Sequence, residues 1–196
     1  MPGLVLSESR FLHVPKTGGN WVSSVLREQF SRAQRMPKIH TTRISAPRPE
    51  LFTFAFVRHP LTWYQSYFSY KQRKGWDPTN NWDDIVRCDS FTEFVEKVLG
   101  ETPAYYSKLI RRFVGRVGDE IDFVGRFESL TDDLIHALEL AGEQFDPDVI
   151  RETPPVNQSS YDAHPAVYTD DLAQRVLEVE VEVVNRFYSG NASLTG

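Results

Sequence analysis

Phe11-Leu12-His13-Val14-Pro15-Lys16-Thr17-Gly18-Gly19-Asn20-Trp21 is the stretch that decides how this chain folds. Phe11 to Val14 is a short apolar run, the mark of a buried strand, and it stops at Pro15. Beyond Asn20, the residues Val22, Val25, Leu26 and Phe30 recur at helical spacing. Strand, tight glycine loop and helix in that order aim backbone N–H groups and the positive end of a helix at one point. Gly18 and Gly19 let a ligand approach the backbone closely, Lys16 adds a full positive charge, and Thr17 and Asn20 add short side-chain donors. The loop is a cradle for an anion, best suited to a phosphate-like group. The nucleotide-triphosphate loop, G-x-x-x-x-G-K-[ST], carries its lysine after the glycines. Lys16 precedes them, so an ATPase or GTPase reading loses its main support.

A second strand-to-helix unit follows. Leu51 to Val57 (LFTFAFV) is a continuous apolar run suited to a strand covered on both faces. It stops at Arg58-His59-Pro60, and Pro60 suits the first position of a helix whose Leu61, Tyr64, Tyr67 or Phe68, and Tyr70 or Lys71 follow an aromatic face. Between the units, residues 34–50 are basic and proline-punctuated, with room for a short strand near Ile39. Residues 75–84 (GWDPTNNWDD) read as a polar loop holding Trp76 and Trp82. Ser90-Phe91-Thr92-Glu93 is a capping box before Phe94, Val95, Val98 and Leu99, with Gly100 as the stop. The pattern predicts a helix over 105–114, a strand over 121–127, and a helix over 130–141 ended by Gly142.

From Leu177 to Val184 apolar and acidic residues alternate as in a strand. Leu172, Val176, Val179, Val183 and Phe187 keep a helical period over a longer window, opened by Thr169-Asp170-Asp171 and closed by Gly190, so a helix is predicted. Strands alternating with helices predict an α/β fold with a mostly parallel central sheet flanked by helices, as one domain over 1–196.

Composition fits a folded globular chain: of 196 residues, 40% are hydrophobic and 25% charged. The single cysteine, Cys88, excludes an internal disulfide framework. A net charge of −5 by itself argues against a nucleic-acid or acidic-membrane partner. The charge is unevenly divided, however. Residues 1–76 carry 12 Lys+Arg against 3 acids, a balance of +9, and residues 77–196 carry 10 against 24, a balance of −14. Such asymmetry marks either a half that meets an anion or two halves that neutralise each other. No stretch approaches the roughly 20 apolar residues of a membrane span. The first residues lack the basic-then-apolar order of a secretory signal, so a cytoplasmic location and no membrane partner are expected.

Pro15-Lys16-Thr17-Gly18-Gly19 after a strand resembles the 5′-phosphosulfate-binding loop of sulfotransferases that use 3′-phosphoadenosine 5′-phosphosulfate. The family's second motif, for the 3′-phosphate, is an Arg at a strand end followed eight residues later by a Ser on the next helix. Arg58 and Ser66 stand in that relation, in the expected order. Phe123-Val124-Gly125-Arg126-Phe127-Glu128-Ser129-Leu130 and Asn157-Gln158-Ser159 are similar, less specifically, to the carbohydrate-type branch. Two departures stand out: Asn20 replaces the more usual Thr or Ser, and the late Arg-Lys-Gly segment of the cytosolic small-molecule members has no counterpart.

The resemblance implies a sulfotransferase fold related to nucleotide kinases. It implies transfer of a sulfuryl group from that donor to a hydroxyl of a small-molecule or carbohydrate acceptor, leaving adenosine 3′,5′-bisphosphate. By analogy with phosphoryl transfer, catalysis is in-line positioning with stabilisation of the leaving oxygen, for which Lys16 and the loop N–H groups are suited. Lys16, Thr17, Gly18, Gly19, Asn20, Trp21, Arg58 and Ser66 would hold the donor, with no metal and no nucleic acid involved. The five histidines, His13, His40, His59, His136 and His164, are scattered without metal-ligand spacing.

A base must take the acceptor's proton. His40 lies between the two anion motifs, where many members place the catalytic histidine, and is the first candidate against a structural role. His59 is the rival, though its place beside Arg58 suits the 3′-phosphate pocket, and His13 is expected in core packing. Glu28 and Glu50 are outside candidates. Trp21 and Trp63 suit either adenine stacking or aromatic core, and Trp76 and Trp82 suit contact with a sugar. The alternatives are a small-molecule kinase of related fold and a non-catalytic module holding adenosine 3′,5′-bisphosphate.

Overall fold

The computed structural model describes residues 2–38, 41–154 and 165–189. In chain order it forms β1 (Leu4–Val5), β2 (Ser9–Leu12), α1 (Gly19–Gln29), β3 (Gln34–Arg35), β4 (Phe52–Val57), α2 (Pro60–Lys74), α3 (Asn81–Val86) and α4 (Phe91–Glu101). There follow α5 (Tyr105–Val114), β5 (Phe123–Arg126), α6 (Leu130–Ala141), α7 (Pro147–Glu152), α8 (Asp170–Val179) and α9 (Val181–Phe187), with a 3₁₀ turn at Phe127–Ser129 before α6. This is an α/β fold. The chain divides into two compact units, Met1–Arg58 with Leu109–Gln158, and His59–Lys108 with Ser159–Gly196.

The first unit holds the five strands found among the described residues, in the order β3-β1-β2-β4-β5. β2 pairs parallel with β4, Leu12 opposite Ala55, and β4 parallel with β5, Val57 opposite Arg126. β1 is antiparallel to both β2 and β3. The sheet is therefore mixed, a parallel three-strand core with a short antiparallel edge. A tight turn, closed by Leu6 N–H donating to Ser9 carbonyl at 2.8 Å, suffices to join antiparallel β1 and β2. Two-residue strands carry too little alternation to be read from sequence. The strand expected near Ile39 is not among the described residues; β3 lies upstream of it.

Alternation along β4 puts Phe54 and Phe56 on one face, beside Phe11 of β2, with the Phe11 and Phe54 ring centroids 5.5 Å apart. Trp21, Val22, Val25 and Leu26 of α1 and Leu134, Ile135 and Leu138 of α6 cover that face. Each such side chain taken out of water contributes about 1.5–3 kcal/mol. Gly125 in β5 follows from the same packing, because a Cβ there would lie 2.6 Å from the Phe56 ring.

The second unit is helical among its described residues and built on aromatic rings. Trp63 of α2 is fully buried, with Tyr106 stacked on it at 4.5 Å. Trp82, expected in a polar loop, lies in the first turn of α3 instead: Asn80 Oδ1 accepts its N–H at 3.1 Å, and its ring lies face to face with Tyr105 at 3.6 Å. Buried Asp83 accepts the Tyr67 hydroxyl at 2.5 Å, the Lys71 ammonium and the Asp77 N–H. The predicted Ser90 cap forms, its Oγ accepting Glu93 N–H at 3.2 Å. α4 nevertheless runs one residue past Gly100 to Glu101.

The final helix breaks in two at Glu180, whose φ of −97° and ψ of 17° end α8. The Glu180 carboxylate is buried and accepts Tyr64 hydroxyl at 2.5 Å, Tyr106 N–H at 3.1 Å, and Ser107 N–H and Oγ at 2.7 and 2.5 Å. It caps α5, whose first-turn N–H groups have no acceptor within their own helix. Gly190, the predicted stop, lies outside the described residues.

Candidate anion site at the ends of the parallel strands

β2, β4 and β5 run parallel as neighbours, so their C-terminal ends open on one edge of the sheet. In open α/β sheets that edge is where ligands bind. The loop 13–18 leaves β2 there, Arg58 follows the last residue of β4, and Phe127 follows the last residue of β5.

The loop is held in an unusual backbone shape. Lys16 has φ 65° and Gly18 φ 81°. Glycine adopts the left-handed region freely, whereas a side-chain-bearing residue there costs about 1–3 kcal/mol and persists only where its surroundings fix it. Two hydrogen bonds do so. The Thr17 hydroxyl donates to Val14 carbonyl at 3.0 Å, and Arg58 Nη1 donates to Lys16 carbonyl at 3.4 Å. The Arg58 guanidinium also lies 4.1 Å above the Phe127 ring, a cation–π contact that flattens it against the third strand end.

Gly18 is the N-cap of α1, and its carbonyl accepts the N–H groups of Trp21 at 2.9 Å and Val22 at 3.2 Å. The N–H groups of the first turn of an α-helix find no carbonyl within the helix itself, and at α1 that turn begins at Gly19. Its first turn carries no acidic side chain, so the positive end of the helix is not offset from within. Both glycines are also fixed by packing. A Cβ on Gly18 would fall 2.5 Å from Leu130 Cδ2 and 3.1 Å from Phe127, and one on Gly19 would enter the His13 ring.

The structure brings Lys16, Gly18, Gly19 and Arg58 together, and it assigns other work to several of the expected site residues. Thr17 is buried and its hydroxyl is turned inward, which leaves its backbone for a ligand. Trp21 is 5% exposed within the core, its indole N–H 3.4 Å from Thr153 carbonyl, so it has no open face for adenine. Asn20 is exposed at the start of α1. Ser66 is buried on α2 and Trp63 belongs to the aromatic core, both in the second unit. Trp82 is buried likewise, and Trp76 is half-buried near Phe94. His59, also in the second unit, stands edge-on to Tyr188 at 5.1 Å. His40, the proposed base, lies outside the described residues, as do Asn157, Gln158, Ser159 and His164. Glu28 and Glu50 are exposed, Glu50 paired with Arg48.

Two contributors escaped the sequence reading. Phe127 was visible only as part of a loosely similar segment, although an aromatic directly after a strand was a signal for the strand-end edge. His13 was expected in the core, and is buried, but with its ring against the loop. Among the described residues no His, Cys, Asp and Glu cluster could hold a metal ion, and no helix is long and apolar enough to cross a membrane. Compared with models of protein families, with curated proteins and with solved structures, the chain matches none.

Proposed function

We propose that the chain is a sulfotransferase that takes its sulfuryl group from 3′-phosphoadenosine 5′-phosphosulfate. The observation that carries this reading is the hydrogen bond from Arg58 to the Lys16 carbonyl, across the ends of two adjacent parallel strands. The residues that resemble the two phosphate motifs, 42 positions apart in sequence, touch. A donor with phosphate on both sides of its ribose needs two such cationic elements side by side. The finer fold assignment, a P-loop-kinase-like core, rests on the same parallel trio with its loop-to-helix turn, and the edge strands are additions to it.

In the proposed reaction an acceptor hydroxyl oxygen attacks sulfur in line with the bridging oxygen of the 5′-phosphate. The new S–O bond forms as the bond to the bridging oxygen breaks, and the electron pair leaves with adenosine 3′,5′-bisphosphate. The Lys16 ammonium and the N–H groups of Gly18 and Gly19 stabilise that leaving oxygen. His40 takes the acceptor's proton. Ser66 enters through its spacing from Arg58, and a carbohydrate or other small hydroxyl compound in the cytoplasm is the proposed acceptor setting.

Thermal melting with ligands tests the donor assignment. Adenosine 3′,5′-bisphosphate at 100 times its Kd should stabilise by about 2.7 kcal/mol, and ATP with magnesium should not. The reverse preference favours the kinase reading.

A further inference from the structure

We propose that His13 is a positioning residue of the anion loop, its imidazole acting as the stop against which the Gly18-Gly19 turn is set. This rests on the loop being the donor's phosphate cradle. His13 follows the end of β2 and is 6% exposed. Its ring stacks on Phe11 at 6.1 Å and 19°, and Phe11 is itself locked between Phe54 and Phe56. The imidazole therefore has a rigid floor. Gly19, the first residue of α1, lies against the Cδ2–Nε2 part of the same ring: a Cβ built there would fall 2.7 Å from His13 Cγ and closer still to Cδ2 and Nε2. Real Cβ atoms do not approach so near, so the ring and the glycine backbone are in direct contact.

That contact accounts for three features together. Position 19 takes glycine because a ring fills the space of a side chain. The turn cannot sink toward the sheet, because the ring stands on the Phe11 floor. The first N–H groups of α1 are consequently held at a fixed height above the strand ends, beside Lys16 and Arg58. Interiors packed this closely have low compressibility and transmit strain, so moving the stop moves the donors. His13 acts through Gly19 and touches no ligand.

Steric complementation in the full chain separates this role from ordinary core packing. Adenosine 3′,5′-bisphosphate affinity is measured by calorimetry for wild type, Gly19→Ala, His13→Ala and the double variant, with melting and far-UV dichroism recorded for each. Gly19→Ala should weaken binding at least tenfold and His13→Ala several-fold. In the double variant the new methyl enters the vacated space, and affinity should exceed that of Gly19→Ala alone by threefold or more. Weakening that simply multiplies across the two sites overturns the proposal. His13→Phe keeps a ring of similar width and should bind within threefold of wild type. A tenfold loss there, with the fold intact, also overturns it, and this variant decides the matter if Gly19→Ala does not fold. If wild type binds pyrophosphate but not the adenosine bisphosphate, the donor reading fails. The same comparison made with pyrophosphate then supports or overturns the role of His13.

Discussion

Arg58 Nη1 donates to the Lys16 backbone carbonyl at 3.4 Å, a hydrogen bond that spans the two chain segments that carry the positive charge of the site. Arg58 thus has two functions to lose, an anion contact and a brace on the strained Lys16 backbone. Arg58→Ala should weaken adenosine 3′,5′-bisphosphate by at least tenfold, since a hydrogen bond to a charged group contributes about 1.5–3 kcal/mol. Arg58→Lys should recover little, because an ammonium lacks the planar fork that lies over Phe127. Full recovery by lysine in a titration would reduce Arg58 to a point charge.

Lys16 combines charge with a left-handed backbone at φ 65°, and substitution separates the two. Lys16→Met removes the charge and keeps the strain, and should lower kcat by about 10²–10³ if the ammonium stabilises the leaving oxygen. Lys16→Gly removes both, so it should melt no lower than Lys16→Met while being as inactive. Turnover of labelled donor alongside melting curves gives both readouts, and a Lys16→Met enzyme with normal kcat would exclude the ammonium from the chemistry.

His40→Ala should abolish turnover and leave adenosine 3′,5′-bisphosphate affinity within about twofold of wild type, because a general base acts on the acceptor and contributes roughly 10²–10⁴-fold to rate. Retained turnover would pass the role to another group, and lost affinity would make His40 a donor ligand.

Much of the fold was legible because long elements carry their own period. LFTFAFV reads as a strand covered on both faces and forms β4 over Phe52–Val57, and residues 130–141 with Gly142 form the helix they predict, ending at a glycine with φ 75°. Short elements were not legible: β1 and β3 have two residues each, and their pairing depends on partners far along the chain. The break at Glu180 was invisible for a related reason. Glu180, at the break, takes its hydrogen bonds from the N-terminus of α5, more than seventy residues away, and sequence periodicity cannot report such a contact. At the site, glycines and cations were read from the motif. What the motif could not convey was which polar groups the scaffold would consume, such as the Thr17 hydroxyl on Val14. Nor could it convey that aromatic neighbours, Phe127 and His13, would supply the walls.

Glu180 supplies a stability test independent of function. Its carboxylate is buried and takes four donors from Tyr64, Tyr106 and Ser107. Glu180→Ala removes the acceptor of the Tyr64 hydroxyl and of the Ser107 N–H and hydroxyl, while Tyr106 N–H still reaches Tyr64 Oη at 3.4 Å, and it should cost about 3 kcal/mol or more in urea unfolding, since each unsatisfied buried group costs roughly 1–3 kcal/mol. Glu180→Gln keeps one carbonyl oxygen and should cost less. A loss below 1 kcal/mol for the alanine variant would show that water takes over the capping of α5.

Burial, together with the Glu180 and Asp83 carboxylates, sets the response to alkali. Burial, and then the charge and hydrogen bond of Glu180, push the Tyr64 phenol well above its ordinary pKa. Burial followed by the hydrogen bond to Asp83 does the same for Tyr67, and burial followed by the Glu180 charge does so for Tyr168. A raised folded-state pKa means that the folded chain holds these protons more tightly than the unfolded chain does. The stabilisation is therefore complete below the unfolded tyrosine value of about 10 and falls as pH climbs above it. Cys88, pushed up to about 11 mainly by burial, adds to the loss beginning near its own unfolded value of about 8.5. Absorbance of ionised tyrosine, followed with far-UV dichroism from pH 8 to 13, should show these three of the eight tyrosines ionising only as the helices melt. Ionisation of all eight near pH 10 with the dichroism unchanged would mean that the aromatic core of the second unit is open to solvent.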